Sequence, residues 1–179
     1  MLWRDIKLLV DQRKQGNIIP AYQRPLIYID VTNQRLYRLS SDNSISQTFP
    51  VSTAVRGLGN LQDSFKTPVG IHRIKEKIGA DEPSGMVFKG RRAMGVICKH
   101  KDNREEDEIT SRILWLDGLE DGTNKGGVND TFSRYIYIHG TSDELRIGKP
   151  VSRGCIRMKN SDVIDLFDDV QLNDIVLIE

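Results

Sequence analysis

Short apolar runs broken by turn residues constrain this chain more than any other feature. Residues 26–31, 36–39, 46–53, 71–74, 96–98, 113–116, 135–138 and 175–178 are too short for stable helices. Most are rich in β-branched or aromatic side chains, the composition of buried strands. Residues 26–31 and 36–39 read as a hairpin across Thr32, Asn33, Gln34 and Arg35, with 46–53 as a third strand. Helical spacing occurs in only two places. Leu2, Trp3, Ile6, Leu9 and Val10 form one stripe, stopped by Gly16, and Val163, Ile164, Phe167 and Val170 form the other. Asn160 or Ser161 is placed to cap the second helix, with Asp162 in its first turn. The pattern predicts a mainly β chain, a sandwich or barrel-like sheet with peripheral helices. At 179 residues it makes a single domain. Residues 1–25 are expected to form an N-terminal helix and connector packed on a main domain spanning 26–179.

Charge and cysteine usage narrow the function. Lys and Arg total 26 against 25 Asp and Glu, a balance that argues against a protein built to hold nucleic acid. Two cysteines, Cys98 and Cys155, are too few for a disulfide framework. Cys98 and His100 lack the usual metal-ligand spacing, and no second close pair accompanies them, so neither a metal nor a cofactor is predicted. Cys98 reads as a buried structural thiol, His72 as a structural strand histidine and Trp115 as core. Residues 75–86 read as a surface excursion and the charged run 100–107 as a solvated loop. Residues 55–64, 118–129 and 143–149 are loops suited to wall a site.

Chemistry concentrates between Tyr137 and Met158, where His139 and Cys155 stand with fifteen residues between them. His139 is expected at a strand end and Gly140 at the turn that follows. Gly148 and Pro150 then punctuate a loop that folds Cys155 back beside the histidine. A cysteine attacks as its thiolate, and a nearby imidazole takes the proton. Arg153 and Arg157 flank Cys155 and would favour the thiolate or bind an anionic substrate group. The backbone N–H groups of Gly154 and Cys155 are placed to hold a developing oxyanion.

These residues resemble the YkuD-type L,D-transpeptidase catalytic domain family. That family carries a strand ending in His-Gly, a variable loop, then Ser/Thr-x-Gly-Cys, an apolar residue and Arg or Asn. Here those positions are His139, Gly140, Ser152, Gly154, Cys155, Ile156 and Arg157. Lys66, Thr67, Pro68, Val69 and Gly70 are similar to its Thr-Pro-x-Gly segment. The resemblance covers residues 26–179 and implies the YkuD fold. It makes Cys155 the nucleophile and His139 the base, with the Gly140 carbonyl orienting the imidazole. Arg157, Ser152 and Arg153 become substrate-binding candidates. Many members have a second histidine where this chain has Arg153, a change that bears on substrate or acceptor preference.

The implied substrate is a peptidoglycan stem peptide or muropeptide, cleaved between a diamino acid and a terminal D-alanine through a thioester. A covalent β-lactam adduct, such as a carbapenem on Cys155, belongs to the same chemistry. Transfer to an amine would make wall cross-links, and transfer to water would make an L,D-carboxypeptidase. Arg4, Asp5 and Lys7 interrupt the N-terminal apolar residues, leaving no signal-peptide pattern, and no segment approaches membrane-spanning length. The sequence therefore predicts a cytoplasmic carboxypeptidase of peptidoglycan recycling, or a periplasmic enzyme if the chain is a processed form. A catalytically silent muropeptide-binding module is the reading from another class.

Overall fold

The computed structural model describes residues 26–40, 44–98 and 107–179, and the expected N-terminal helix lies outside them. Among the described residues, ten strands form one mixed sheet. They are β1 (Leu26–Asp30), β2 (Arg35–Leu39), β3 (Ile45–Pro50), β4 (Gly70–Ile78), β5 (Met86–Lys89), β6 (Arg92–Ile97), β7 (Ile109–Gly118), β8 (Tyr137–Thr141), β9 (Ile156–Met158) and β10 (Ile175–Ile178). The neighbour order is β3-β2-β1-β10-β4-β7, and β7 then takes two partners on its remaining length. The β5–β6 hairpin joins at Ile109 and Thr110, on the edge β4 occupies further along, while β8 and then β9 extend the opposite edge.

The sheet also closes. Ser52, just past β3, exchanges two backbone hydrogen bonds of 2.9 Å with Arg157 in β9, so the last strand returns to the first edge. Closure removes an exposed edge where the cleft described below is built. The mainly β, barrel-like expectation holds.

Alternation along the strands fills the interior. Ile27 and Ile29 of β1 enter the main core with Ile138, Ile156 and Met158, whereas Leu26 and Tyr28 pack on the other face with Leu39 and Ile71. Helix α1 (Asn160–Asp169) covers the main core with Val163, Leu166 and Phe167, and Val170 follows at its end. Leu166, rather than the expected Ile164, occupies the central position of that stripe. The helix lacks a side-chain cap of its own. Glu144 from the β8–β9 connection instead accepts from the Asn160 backbone N–H at 2.7 Å, placing a carboxylate at the positive helix end.

Two segments depart from expectation. Residues 75–86 are not a surface excursion, because β4 runs on to Ile78 to pair with β7, and Met86 opens β5 in a buried cluster with Phe88, Ile113, Trp115 and Tyr137. Tyr135 lies before β8 rather than in it, half-exposed at φ 57°.

Candidate active site

Strands β8 and β9 run parallel, with Ile138 opposite Ile156 and His139 opposite Arg157. Because side chains alternate between faces, Tyr137 and His139 share a face with Cys155 and Arg157, while Ile138, Ile156 and Met158 point into the core. Cys155 and His139 thereby line one cleft of about 620 Å³, together with Arg153, Arg157, Ser152 and Asp107.

His139 is buried in the middle of β8 rather than at a solvent-facing end. Its Nδ1 lies 2.7 Å from the Gly140 carbonyl oxygen. A carbonyl only accepts, so Nδ1 carries the proton and Nε2 is left as the basic nitrogen. Burial lowers the imidazole pKa; Asp107 and the Gly140 hydrogen bond oppose that shift, and Arg157 adds to it. Gly140 is no turn, since β8 continues through it to Thr141. Glycine is required there because a Cβ would stand 2.6 Å from the Thr110 carbonyl oxygen and 2.7 Å from Asn160 Oδ1. Neither neighbour can yield: Thr110 O is sheet backbone, and Asn160 is tied to Thr110, Ser111, Thr141 and Glu144. Gly140→Ala is accordingly expected to cost about 2 kcal/mol, the scale of core overpacking, read as a lowered urea midpoint together with reduced activity.

Cys155 follows Gly154, whose φ of 129° disfavours any other residue. Its sulfur accepts from the Tyr137 N–H at 3.4 Å and donates to the Tyr135 carbonyl at 3.5 Å. The residue is only half-buried, yet the groups packed around its sulfur desolvate it and push the thiol pKa up to about 11. The Tyr137 N–H, Arg157 and Arg134 oppose that rise, and Asp107 reinforces it. Both shifts favour a neutral thiol beside a neutral imidazole, against the pull toward a thiolate expected from the flanking arginines.

The remaining sequence candidates divide. Ser152 is buried and braces the turn, accepting from the Gly154 N–H at 3.2 Å and donating to the Cys155 carbonyl at 2.5 Å. Gly154 N–H is thus already engaged in the resting state. Arg157 is buried and held by Asp107, Nε to Oδ2 at 2.8 Å, with Asp143 at 3.9 Å from a buried Nη1. Arg153 is exposed at the cleft mouth. Of the three expected wall loops, 143–149 contributes Arg146 to this cleft, 55–64 borders a neighbouring cleft, and 118–129 lines neither.

Sequence reasoning missed Asp107, which closes the charged run read as a solvated loop. It accepts from Thr141 Oγ1 as well as from Arg157. The available signal was its place directly before the apolar alternation of β7. His72 is buried and structural, with its ring nitrogens 3.0 Å from Gly70 O and 3.2 Å from Thr131 Oγ1. Among the described residues, no three His, Cys, Asp or Glu side chains converge as metal ligands.

A cysteine directly before β9 and an oriented histidine in the neighbouring strand β8 define a candidate cysteine acyl-transfer site. The family model for the L,D-transpeptidase catalytic domain, YkuD, matches residues 24–178, and the chain belongs to that family. "Probable L,D-transpeptidase ErfK/SrfK" of Escherichia coli is 26% identical over 159 residues, 87% of this chain and 44% of that protein. An L,D-transpeptidase from Mycobacterium smegmatis superposes with a TM-score of 0.52 at 18% identity, over 87% of this chain and 58% of that one. L,D-transpeptidase 3 from Mycobacterium tuberculosis, solved with a faropenem-derived adduct, gives 0.54 at 14% identity, over 87% and 60%. At such identities these structures speak to fold alone. The chain spans less than two thirds of the length of each of these relatives. Among the described residues no helix is long and apolar enough to cross a membrane.

Proposed function

We propose that this protein is a cysteine acyl-transfer enzyme acting on the L,D bond of peptidoglycan stem peptides. The observation that carries the reading is the shared cleft of Cys155 and His139, with imidazole Nδ1 occupied by the Gly140 carbonyl and Nε2 left as base. In the first step Nε2 takes the thiol proton as sulfur attacks the carbonyl joining the diamino acid to terminal D-alanine. The C–S bond forms, the Cys155 N–H stabilises the oxyanion, and the C–N bond breaks as the imidazolium returns the proton to the leaving amine. A thioester remains, and D-alanine departs.

Cleft charge supports an anionic substrate. Lys89, Arg146, Arg153 and Arg157 outnumber Asp107 and Glu108. Arg157 is committed to Asp107, so exposed Arg153 and Lys89 are better placed to meet a stem-peptide carboxylate, and Arg157 positions the strand. A penem or carbapenem would acylate the same sulfur.

The thioester has two fates. Attack by an amine gives transpeptidation, the activity for which the relatives are named. Attack by water gives the tripeptide and the carboxypeptidase of cytoplasmic recycling expected from sequence. Mass spectrometry of the protein with a disaccharide tetrapeptide, with and without a D-amino acid, tests the proposal. Exchange or cross-linked product assigns transpeptidation and tripeptide alone assigns hydrolysis; unchanged substrate with binding that survives thiol alkylation would leave only a binding module.

A further inference from the structure

A second cleft of about 250 Å³ adjoins the first and shares Arg153 with it. Its lining includes Gln62, Asp63, Phe65, Ser133 and Tyr135, and none of these is used by the acyl-transfer chemistry as a side chain. Phe65 and Tyr135 are large rings left 47% and 52% exposed among its lining, with Tyr135 also packed on Trp115 at 5.5 Å between ring centroids. Arginines brace them, Arg56 at 5.2 Å from the Phe65 centroid and Arg91 at 5.0 Å from that of Tyr135. Gln62 and Asp63 line the rim, and the Asp63 carboxylate is near enough to Arg134 to favour its charge.

The backbone here is held against its preference. Asp63, Phe65 and Tyr135 have φ of 59°, 56° and 57°, three of the seven non-glycine residues at positive φ among those described. Arg91, which braces Tyr135, is a fourth at 67°. Positive φ is rare for bulky aromatic residues, and folds retain such strain mainly where the presented side chain has work to do. The surroundings hold it in place: Gln62 N–H bonds the Val128 carbonyl at 2.7 Å, and Arg134 binds the carbonyls of Gly59 and Lys66 at 3.2 and 2.7 Å.

Two exposed ring surfaces with polar groups at the rim match a pyranose, which has an apolar C–H face and a hydroxyl edge. At about 250 Å³ the cleft lies just below the usual ligand-pocket range of about 300 Å³ and more, room for a single ring rather than an extended chain. A cationic amine acceptor is disfavoured, because Arg134 and Arg153 line the cleft and Arg56 stands behind Phe65, against the single carboxylate of Asp63. We infer that this cleft is a saccharide subsite that binds an N-acetylated amino sugar of the glycan carrying the stem peptide. The inference rests on the function proposed above, since the shared Arg153 would let one glycopeptide occupy both clefts.

The test compares KM for a disaccharide tetrapeptide and for the same tetrapeptide without sugar, in wild type, Phe65→Leu and Phe65→Trp. Wild type should show a KM about tenfold lower for the glycosylated substrate at similar kcat, within the range one well-placed aromatic contact supports. Phe65→Leu should raise only that KM, and Phe65→Trp should restore it. Equal wild-type KM for both substrates overturns the subsite. A Phe65→Leu defect equal on both substrates also overturns it and reassigns the cleft to peptide. If neither substrate turns over, the proposed function fails, and NMR titration with a peptide-free N-acetylglucosamine oligosaccharide decides the subsite independently. Shifts at residues 62–65 and 133–136 support it, and their absence refutes it.

Discussion

Cys155→Ala is expected to lower kcat by about 10⁴-fold or more, because no other described side chain in the cleft supplies a nucleophile of comparable power. The substitution removes a half-buried thiol held by two long sulfur hydrogen bonds and packed against the Trp115 and Tyr137 cluster, and alanine keeps the Cβ there, so the fold should survive. Circular dichroism and a urea midpoint near that of the parent would establish this. Intact-protein mass spectrometry should find neither a substrate thioester nor a penem adduct on the variant. Turnover within tenfold of wild type would sink the mechanism. The parent thiol carries a second signature. With its pKa pushed up to about 11, alkylation by iodoacetamide should keep accelerating as pH rises beyond 9, the ordinary value, rather than levelling there.

His139→Gln should lower kcat/KM by about 10²- to 10⁴-fold, the usual contribution of a positioned base. The loss belongs toward the upper end here, because a thiol that is neutral at physiological pH needs a base to take its proton during attack. The pH profile gives an independent readout. Burial depresses the imidazole pKa, so His139 stays neutral and competent as a base below the usual histidine value of 6.5. Activity is lost only when pH falls through the lowered pKa and Nε2 becomes protonated. The acid limb of kcat/KM should therefore lie below pH 6.5. An acid limb above that value would point to a thiolate–imidazolium resting pair instead.

Both expectations depend on how the strands desolvate the pair. Tyr137 and Ile138 seat His139 in the sheet, and Arg157 is drawn toward Asp107 rather than left free beside sulfur. Arg157 thus offsets the Asp107 charge as well as favouring a thiolate. On the proposed mechanism, activation comes at the moment of attack, when the thiol proton moves to Nε2.

Much of the candidate site is legible in the sequence, because its evidence is local. β-Branched and aromatic runs predict strands from their own composition, so β1, β2, β3 and β10 fall close to where residues 26–53 and 175–178 place them. His139-Gly140 and Ser152-x-Gly154-Cys155 are contiguous motifs, and the family they point to covers residues 24–178. What sequence could not provide depends on partners distant along the chain. Gly140 reads as a turn until Thr110 and Asn160 are seen to leave no room for a Cβ. Asp107 reads as solvated until Arg157, fifty residues later, folds onto it. Phe65 and Tyr135 carry no glycine-like signal of their positive φ, which surrounding hydrogen bonds impose. The sequence alone determined the strand-rich fold and singled out the candidate pair Cys155 and His139, since local preference and motif spacing travel with the chain. Only the tertiary structure decided the direction in which their pKa values shift, the commitment of Arg157 and the second cleft, because desolvation, charge pairing and backbone strain arise when distant segments pack together.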